Sequence, residues 1–479
     1  MATSGSITSI GIGSGLDATS IISKLMQVES LGLARLKTQT DGINTTLSNV
    51  GKLQSHVATL RDKANALVAP TLWTGTTATS SDSAAVKAST GVAAPPGSYA
   101  VQVNRLASGQ TLASAAFAAR DTALGAGTLR IELGRYADDG GFTARSGATP
   151  LTLTLGPGDS SLEAIRDRIN AAGVGVTAGI VQDAGGARLT LRSRETGAES
   201  AFRITATEAV DDGNPATGLS ALAYDAGVAS SPMRRTVVAA NAEVEVNGIA
   251  ISSARNTLEN VVEGLSLTLG KTTSAPVQVE VAADTTAIKT AITEFVTAFN
   301  TVGSFIRTQT AYNEDAKKGG PLQGDQGVLA LQSQLRGVIN EASSASAAFN
   351  RLSDIGLVLK TDGTLETKTG KLDNALGNLG ELRKLLTTDG SGSGDSGFVR
   401  RFKRLADNTL GMQGLFDART TSLRQRVSSL DKAQDAEQQR LDAVEARLKR
   451  QYTALDTKMA NLSGLGNYVT QQIAQMNRS

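Results

Sequence analysis

Apolar residues near the C-terminal end of the chain recur at alternating steps of four and three. The positions are Leu423, Val427, Leu430, Leu441, Val444, Leu448, Leu455 and Leu462. This heptad pattern is typical of a long helix that buries one narrow stripe against another helix. Polar residues take the same register at Gln434, Glu437 and Gln451, so the pattern predicts an adjustable contact. The pattern does not show whether the partner helix belongs to the same chain or to another copy.

A second apolar seam lies at the N-terminal end. Residues 4–16 are rich in Gly and Ser and are predicted to lack regular structure, and Asp17 is predicted to cap the helix that follows. We expect this helix to be interrupted at Gly32 and to end before Pro70. Its seam consists of Leu25, Val28, Leu36, Ile43, Leu47, Val50, Val57 and Leu60. We predict that the two terminal seams pack together and that the middle of the chain is an insertion.

The middle of the chain changes to the alternating pattern of half-buried strands. Residues 99–103, 129–133 and 151–155 alternate in this way, and residues 176–182 and 188–192 are also predicted strands. One short helix is predicted between them, with Ser160 or Ser161 as its cap and with Leu162, Ile165 and Ile169 facing inward.

A second β region begins near Asn241. Asn247-Gly248 between two apolar runs predicts a tight hairpin, because a type I′ turn needs positive φ at both central residues. A helical turn is predicted from Thr257. Helical periodicity returns after Asp284, with further helices near residues 328–339 and 372–386 and a flexible loop at 390–397.

These patterns predict an α+β multidomain fold, in which long coiled-coil-like helices from both termini pack together and two β-rich domains are inserted between them. We assign four parts. They are a terminal helical leg, flexible before assembly (1–42 and 435–479), a helical bundle (43–75 and 284–434), a β-rich domain (76–110 and 235–283) and an outer β-rich domain with one short helix (111–234).

Composition narrows the function. The chain has 479 residues, 4% aromatic residues, a net charge of +2 and no cysteine. Few aromatics disfavour a deep ligand pocket, and the balanced charge favours neither nucleic acid nor an anionic membrane as partner. No apolar run approaches the ~18 residues of a membrane helix, and the first residues do not look like a secretory signal peptide. We therefore expect any export to use a route without signal cleavage.

Candidate catalytic residues are few. The only histidine, His56, lies on the N-terminal helix and is interpreted as a solvated side chain. The segment GDSG at residues 394–397 resembles the nucleophile segment of trypsin-like proteases, but Phe398 follows it. A triad would need His56 beside Ser396, so we interpret this segment as a loop and predict no enzymatic activity.

Other candidate sites have simpler explanations. Gly11, Gly13 and Gly15 do not have the spacing or context of a nucleotide-binding loop. The acidic pairs Asp138-Asp139 and Asp211-Asp212 are interpreted as turns. Basic clusters are interpreted as polar helix faces; their members are Arg400, Arg401, Lys403, Arg404, Arg447, Lys449 and Arg450. The sequence thus predicts no cofactor, no metal and no nucleic acid.

Several short motifs, in this order, resemble one known family. They are ITSIGIGSGLD at 7–17, GSYAVQV at 97–103 with Leu106-Ala107, SLEAI at 161–165, Ile169-Asn170, GVTA at 175–178, ETG at 195–197, VNG at 246–248 and LSDIG at 352–356. With the C-terminal heptads they make the chain similar to the flagellar filament-capping proteins, also called flagellar hook-associated protein 2 or FliD. The resemblance covers most of the chain.

The resemblance implies a non-enzymatic, extracellular protein at the tip of the bacterial flagellum. Copies of the chain would form a homo-oligomeric ring, with the β domains as its plate and the terminal helices as its legs. Flagellin would fold and insert beneath the ring instead of being lost to the medium. It also implies export through the flagellar type III apparatus, with an export chaperone as a further partner and no membrane insertion.

Two other classes of function are weighed against the cap. A surface adhesin would act through the outer β domain and would be expected to expose sugar-binding aromatics, of which the sequence offers few. A junction protein between hook and filament is disfavoured by the order of the motifs along the whole chain.

Overall fold

The computed structural model describes residues 17–91, 94–315 and 317–476, which form two compact units. The first unit joins the chain ends, Met1–Trp73 and Thr285–Ser479, and the second is the intervening Thr74–Asp284. The predicted irregular segment at residues 4–16 lies outside the described residues. The fold class is confirmed, since long helices from the two ends pack together and a β-rich region is inserted between them. The four-part division remains a prediction.

The first unit is mainly helical. Its helices, numbered in chain order together with α4 of the second unit, are α1 Ala18–Glu29, α2 Leu31–Val68, α3 Pro70–Thr74, α5 Thr285–Thr310, α6 Gln326–Asn340, α7 Thr369–Leu376, α8 Leu379–Thr387, α9 Phe398–Leu410 and α10 Leu415–Met476. Two small hairpins join them, β17 Tyr312–Asn313 with β18 Lys318–Gly319, and β19 Leu357–Leu359 with β20 Leu365–Thr367.

The N-terminal helix ends before Pro70 as predicted, at Val68, and differs from its prediction in the position of its break. Asp17 is the predicted cap, and its carboxylate accepts the N–H of Ser20 at 2.9 Å. The break lies at Ser30 and not at Gly32, which is inside α2. A Cβ at Gly32 would lie 2.8 Å from Glu437 Oε1, so this glycine lets α10 approach closely. Pro70 starts the short α3, where its missing N–H costs nothing.

The core of the first unit lies among α2, α5, α6, α8 and α9. Phe402 of α9 packs edge-on against Phe295 and Phe299 of α5, with ring centroids 5.4 and 5.6 Å apart. Each such buried side chain contributes about 1.5–3 kcal/mol through removal of apolar surface from water. The predicted helix at 372–386 is in fact two helices, α7 and α8, which Gly377 and Asn378 separate.

The second unit is built from antiparallel strands. In chain order these are β1 Thr76–Ser80, β2 Val86–Thr90, β3 Gly97–Arg105, β4 Thr111–Ala113, β5 Gly127–Tyr136, β6 Phe142–Ala144, β7 Leu151–Leu155, β8 Val176–Asp183, β9 Gly186–Ser193, β10 Ala201–Glu208, β11 Arg234–Val237, β12 Ala242–Val246, β13 Ile249–Ser253, β14 Thr257–Val262, β15 Leu265–Leu269 and β16 Val277–Ala283. Helix α4 spans Leu162–Ala172, and 3-10 helices span Ala198–Ser200 and Leu219–Leu222.

These strands form four sheets around two apolar clusters. The sheet β1-β16-β3-β12-β13 and the sheet β14-β15-β2 share one cluster. The sheet β11-β4-β9-β8 and the sheet in which β5 pairs with β10, β6 and β7 share the other, together with α4.

Local hydrogen bonds explain several of the sequence signals. Ser161 is the cap of α4, and its hydroxyl accepts the N–H of Ala164 at 3.2 Å. Leu162, Ile165 and Ile169 are fully buried, as predicted. The Asn170 amide bonds both the N–H and the carbonyl of Ala178, at 2.8 and 2.9 Å, so a side chain replaces a neighbouring strand at that point of β8.

The Asn-Gly hairpin is confirmed, but the helical turn predicted from Thr257 is wrong. Asn247 and Gly248 have φ of 50° and 79°, as a type I′ turn requires. Thr257–Val262 is strand β14, which pairs with β15. Sheet pairing overrides the weak local preference of this short segment.

Candidate assembly surface

Helix α10 runs antiparallel along α1 and the first half of α2. Gln434 Nε2 donates to Thr40 Oγ1 at 2.7 Å, and Arg440 Nη1 donates to Glu29 Oε2 at 2.8 Å. Later residues of α10 thus meet earlier residues of the N-terminal helices. We call this pair of antiparallel helical segments the leg, defined here as residues 18–47 and 423–456.

The leg seam follows one continuous heptad register on the N-terminal side. Ile22, Met26, Leu33, Leu36 and Thr40 lie in it and are buried or half-buried. The predicted seam residues Leu25 and Val28 fall outside this register. The structure leaves them 41% and 66% exposed, so it does not bring them into the leg contact.

Most of the other predicted seam residues contribute to the leg only partly. Leu441 is buried in the leg at 4% exposure, whereas Leu423, at 2% exposure, is buried in the apolar cluster of the first unit. The half-buried members are Leu36, Ile43, Leu47, Val427, Leu430, Val444 and Leu448. Leu33, which the predicted seam omitted, is buried opposite them, and its spacing of three from Leu36 could have revealed it.

The three remaining N-terminal seam residues belong to the bundle core. Val50, Val57 and Leu60 are almost completely buried in the apolar cluster of the first unit. Leu53, which the prediction missed, lies between them at the same alternating spacing of three and four. Leu47 to Val50 and Val50 to Leu53 are both steps of three, so the heptad register shifts where α2 passes from the leg to the bundle.

The sequence pattern places three polar residues in the leg contact, and the structure places two of them there. Gln434 and Glu437 are half-buried in the seam, whereas Gln451 is exposed and the neighbouring Tyr452 is half-buried in its place. Hydrogen bonds from Arg440 hold the pKa of the Glu437 carboxyl below its usual range. The same contacts to Glu437 and Glu29 raise the pKa of Arg440.

An open groove lies at the root of the leg. It is lined on one side by Gln39, Gly42 and Ile43 of α2 and on the other by α10 residues that include Arg426 and Leu430. A Cβ at Gly42 would meet no atom within 4 Å. The two helices are therefore incompletely packed here.

Beyond the leg, α10 continues with no contact that buries it. Residues 457–475 are all exposed. The predicted seam residue Leu462 belongs to this part, at 61% exposure, and Leu455, at the end of the leg, is 42% exposed. They are not brought together with the N-terminal seam residues within the described part of the chain.

Candidate catalytic residues are held by structural contacts. His56 is half-buried and not fully solvated as expected, because its ring packs edge-on against Phe305 at 4.9 Å between centroids. Ser396 is buried, and its hydroxyl donates to carbonyls of Gly390 and Gly392 and accepts from Arg404. The loop at 390–397 is thus tied down by its own hydrogen bonds.

One basic residue differs from its predicted surface role. The Arg401 side chain is 3% exposed and donates to the carbonyls of Ser396 and Ala342 at 2.9 and 3.1 Å. Burial lowers the pKa of this guanidinium, whose charge is balanced by Glu341. Arg401 therefore joins α9 to the preceding loops instead of forming part of a polar helix face.

The acidic pairs act mainly within turns. Asp139 and Asp211 each accept an N–H from a residue two positions later, and Asp212 accepts from Asn214 N–H and Thr217 Oγ1. The carboxylates of Glu208, Asp211 and Asp212 lie within 4.8 Å of one another. The hydrogen bonds within the turn explain the positions of Asp211 and Asp212.

Among the described residues, no helix is both long and apolar enough to cross a bilayer.

Two family descriptions and several known proteins are similar to this chain. Residues 14–110 and 239–464 match the families described as flagellar hook-associated protein 2 N-terminus and C-terminus. The chain is 30% identical to flagellar hook-associated protein 2 of Escherichia coli K12, over 99% of each chain. It is 31% identical to the Salmonella typhimurium protein of that name, over 99% of this chain and 100% of the relative.

A solved structure is similar as well. The D1-D2-D3 domains of the flagellar cap protein FliD from Escherichia coli align with a TM-score of 0.55 and 29% identity, covering 78% of this chain and 99% of that one.

Proposed function

Because the chain belongs to the flagellar hook-associated protein 2 family, we propose that it caps the tip of the bacterial flagellar filament. Copies of the chain form a ring, and exported flagellin subunits fold and insert beneath it. The ring also keeps flagellin from escaping into the medium. This is a structural role, in which the protein offers surfaces and not a catalytic centre.

The observation that carries this proposal is the packing of the leg. Its seam is mostly half-buried, contains Gln434 and Glu437, and has an open groove at its root. Rearranging such a contact requires less free energy than rearranging a close-packed core, because side chains that are already partly exposed lose little burial when the helices shift. A cap that must move as each subunit is added needs contacts of this kind.

The other parts of the proposal concern partners. The β-rich unit would form the plate of the ring, and the legs would face flagellin. The chain would reach the tip through the flagellar type III export apparatus, with an export chaperone as a transient partner. These partners follow from the family and are proposed here for this chain.

Adhesion is the alternative prediction, with the outer part of the β-rich unit as its surface. The aromatic side chains there mainly serve packing: Phe202 and Tyr224 are buried, and Tyr136 packs against Phe142 with ring centroids 5.0 Å apart. Burial raises the pKa of Tyr136. Nothing in these contacts favours adhesion over capping.

The test is to delete the protein in its source organism and to measure where flagellin goes. We expect abundant flagellin in the medium and bare hooks, with both defects reversed when the full chain is restored. Normal filaments in the deletion strain would contradict the proposal, and adhesion would then be tested next. Restoration with Ser396→Ala should rescue filaments fully, whereas loss of motility with normal secretion and assembly would contradict the non-enzymatic role.

A further inference from the structure

The end of α10 carries seven large apolar side chains that the structure leaves exposed. They are Leu455, Met459, Leu462, Leu465, Tyr468, Val469 and Ile473. Residues 459–476 contain no Asp, Glu, Lys or Arg, although the rest of α10 is highly charged. An uncharged apolar surface of this length is typical of a binding site for another protein.

This segment also needs a partner to be a stable helix. It contains Gly464 and Gly466, each of which costs about 1 kcal/mol relative to Ala in a helix. An isolated helix of this length is marginal in water even with better residues. A Cβ at either glycine would meet no atom within 4 Å, so another helix can approach the backbone closely there.

A groove lined mainly by small side chains lies between α2 and α5. The two helices are antiparallel, since His56 meets Phe305 while Lys63 meets Glu294. We call this the α2–α5 groove. Its lining includes His56, Thr59, Thr293, Thr297, Thr301 and Phe305, and toward its Thr286 end the charged Lys63, Lys289 and Glu294. Along α5 it extends from Thr286 to Gln309, about 35 Å at the helical rise of 1.5 Å per residue.

The chemistry of the groove is less polar than its threonines suggest. The hydroxyls of Thr293, Thr297 and Thr301 donate to backbone carbonyls four residues earlier, at 2.8, 2.9 and 2.9 Å. Their methyl groups are therefore the part left for a partner. Where the groove passes from Thr297 to Gln309, its lining contains no Asp, Glu, Lys or Arg.

We propose that residues 459–476 of one copy dock in the α2–α5 groove of a neighbouring copy. The large side chains of the segment suit the small side chains of the groove. The charged groups at the Thr286 end are already paired, Lys63 with Glu294 and Lys289 with Asp373, so docking of an uncharged helix leaves no charge unpaired. The segment is about 26 Å long and fits within the groove. Because the two surfaces differ, the contact is head-to-tail and repeats from copy to copy, and such a contact generates a ring when the rotation between copies closes.

The proposal deepens the ring assembly proposed above and rests on it. The chain has no cysteine, so Thr297→Cys in the full chain can be labelled uniquely with a benzophenone maleimide. Mixing 14N and 15N protein before irradiation separates cross-links between copies from those within one copy. The control is Thr38→Cys, an exposed threonine of α2 that makes the same backbone bond but lies outside the groove.

We expect position 297 to cross-link to residues 459–476 of another copy and position 38 not to do so. Cross-links from position 297 only to other segments, including the first 16 residues or the same copy, would overturn the proposal. So would equal cross-linking from both positions.

Substitutions give a second readout by sedimentation. Thr297→Arg and Leu462→Arg should each weaken self-association at least tenfold, while Thr297→Val and Leu462→Met should leave it unchanged. Circular dichroism should show all four folded, because both sites are exposed. A Thr297→Arg protein that assembles like the wild type would overturn this docking while leaving the ring intact. A wild-type chain that never assembles would instead overturn the ring itself.

Discussion

Residues 33–47 and residues 50–67 lie on the same helix and each carries an apolar seam with steps of three and four, but the two seams are buried to different degrees. In the second segment Val50, Leu53, Val57 and Leu60 are at most 1% exposed, because α5 and α9 cover the helix from several sides. In the first segment α10 covers one side only, and Leu36, Ile43 and Leu47 remain half-buried. A heptad pattern therefore indicates that a helix has a contact stripe, while the number of neighbours decides how strong the contact is.

The largest expected effect comes from the buried half. Leu60→Ala should lower the free energy of unfolding of the first unit by about 2–5 kcal/mol, because it removes transfer energy and leaves a cavity. Leu430→Ala in the leg should cost clearly less, because this side chain is half-buried and the open groove lets water reach the site. Urea unfolding of the full chain measures both. Equal losses would mean that the leg is as tightly packed as the bundle.

The next largest effect concerns the leg alone. Leu441→Asp places an unpaired charge at a buried leg position and should cost several kcal/mol of helix pairing. We expect it to abolish capping, measured as flagellin released into the medium, while the β-rich unit remains folded by hydrogen exchange. Leu441→Met is the control that preserves volume and should cap normally. Normal capping by Leu441→Asp would show that the leg contact is not needed.

A third comparison uses pH. Contacts with Lys384, Ser346 and the Ala347 N–H lower the pKa of Glu381 in the bundle to about 2. A carboxyl with a lowered folded pKa contributes stability above its usual pKa of 4.5, and this contribution is lost as the pH falls toward 2. The melting temperature of Glu381→Gln should therefore fall less steeply than that of wild type between pH 4.5 and 2. Parallel curves would contradict the assigned contacts.

The smallest effect compares two glycines of α2. Gly51→Ala meets no atom within 4 Å, so it should stabilise the first unit by up to about 1 kcal/mol through helix propensity. Gly32→Ala gains the same helix propensity, but its Cβ would lie 2.8 Å from Glu437 Oε1 and must displace that side chain of α10 from its position in the leg. We expect Gly32→Ala to be close to neutral by thermal unfolding. A larger gain at Gly32 than at Gly51 would indicate that Glu437 makes no useful contact in the leg.

Local features were predictable from the residues themselves. Asp17 and Ser161 cap their helices, and Asn247-Gly248 forms its turn, because each depends on hydrogen bonds or φ angles within a few residues. The order of short motifs also predicted the family correctly, since motif order is a property of the chain and needs no coordinates.

Features that depend on neighbours distant in sequence were not predictable. Thr257–Val262 is a strand because β15 pairs with it, and Arg401 is buried because loops at Ala342 and Ser396 surround it. Leu25 and Val28 have suitable hydrophobicity but lie outside the register that α10 contacts.

The sequence by itself determined that both ends of this chain form helices with an apolar stripe and that the middle is β-rich, because the spacing of apolar residues differs between helices and strands. Only the tertiary structure decided which part of each seam is covered. Burial is the sum of neighbours around a residue, and helices α5, α9 and α10 approach α2 from parts of the chain that its own pattern does not specify. The bundle core, the half-buried leg and the uncovered end of α10 differ for this reason.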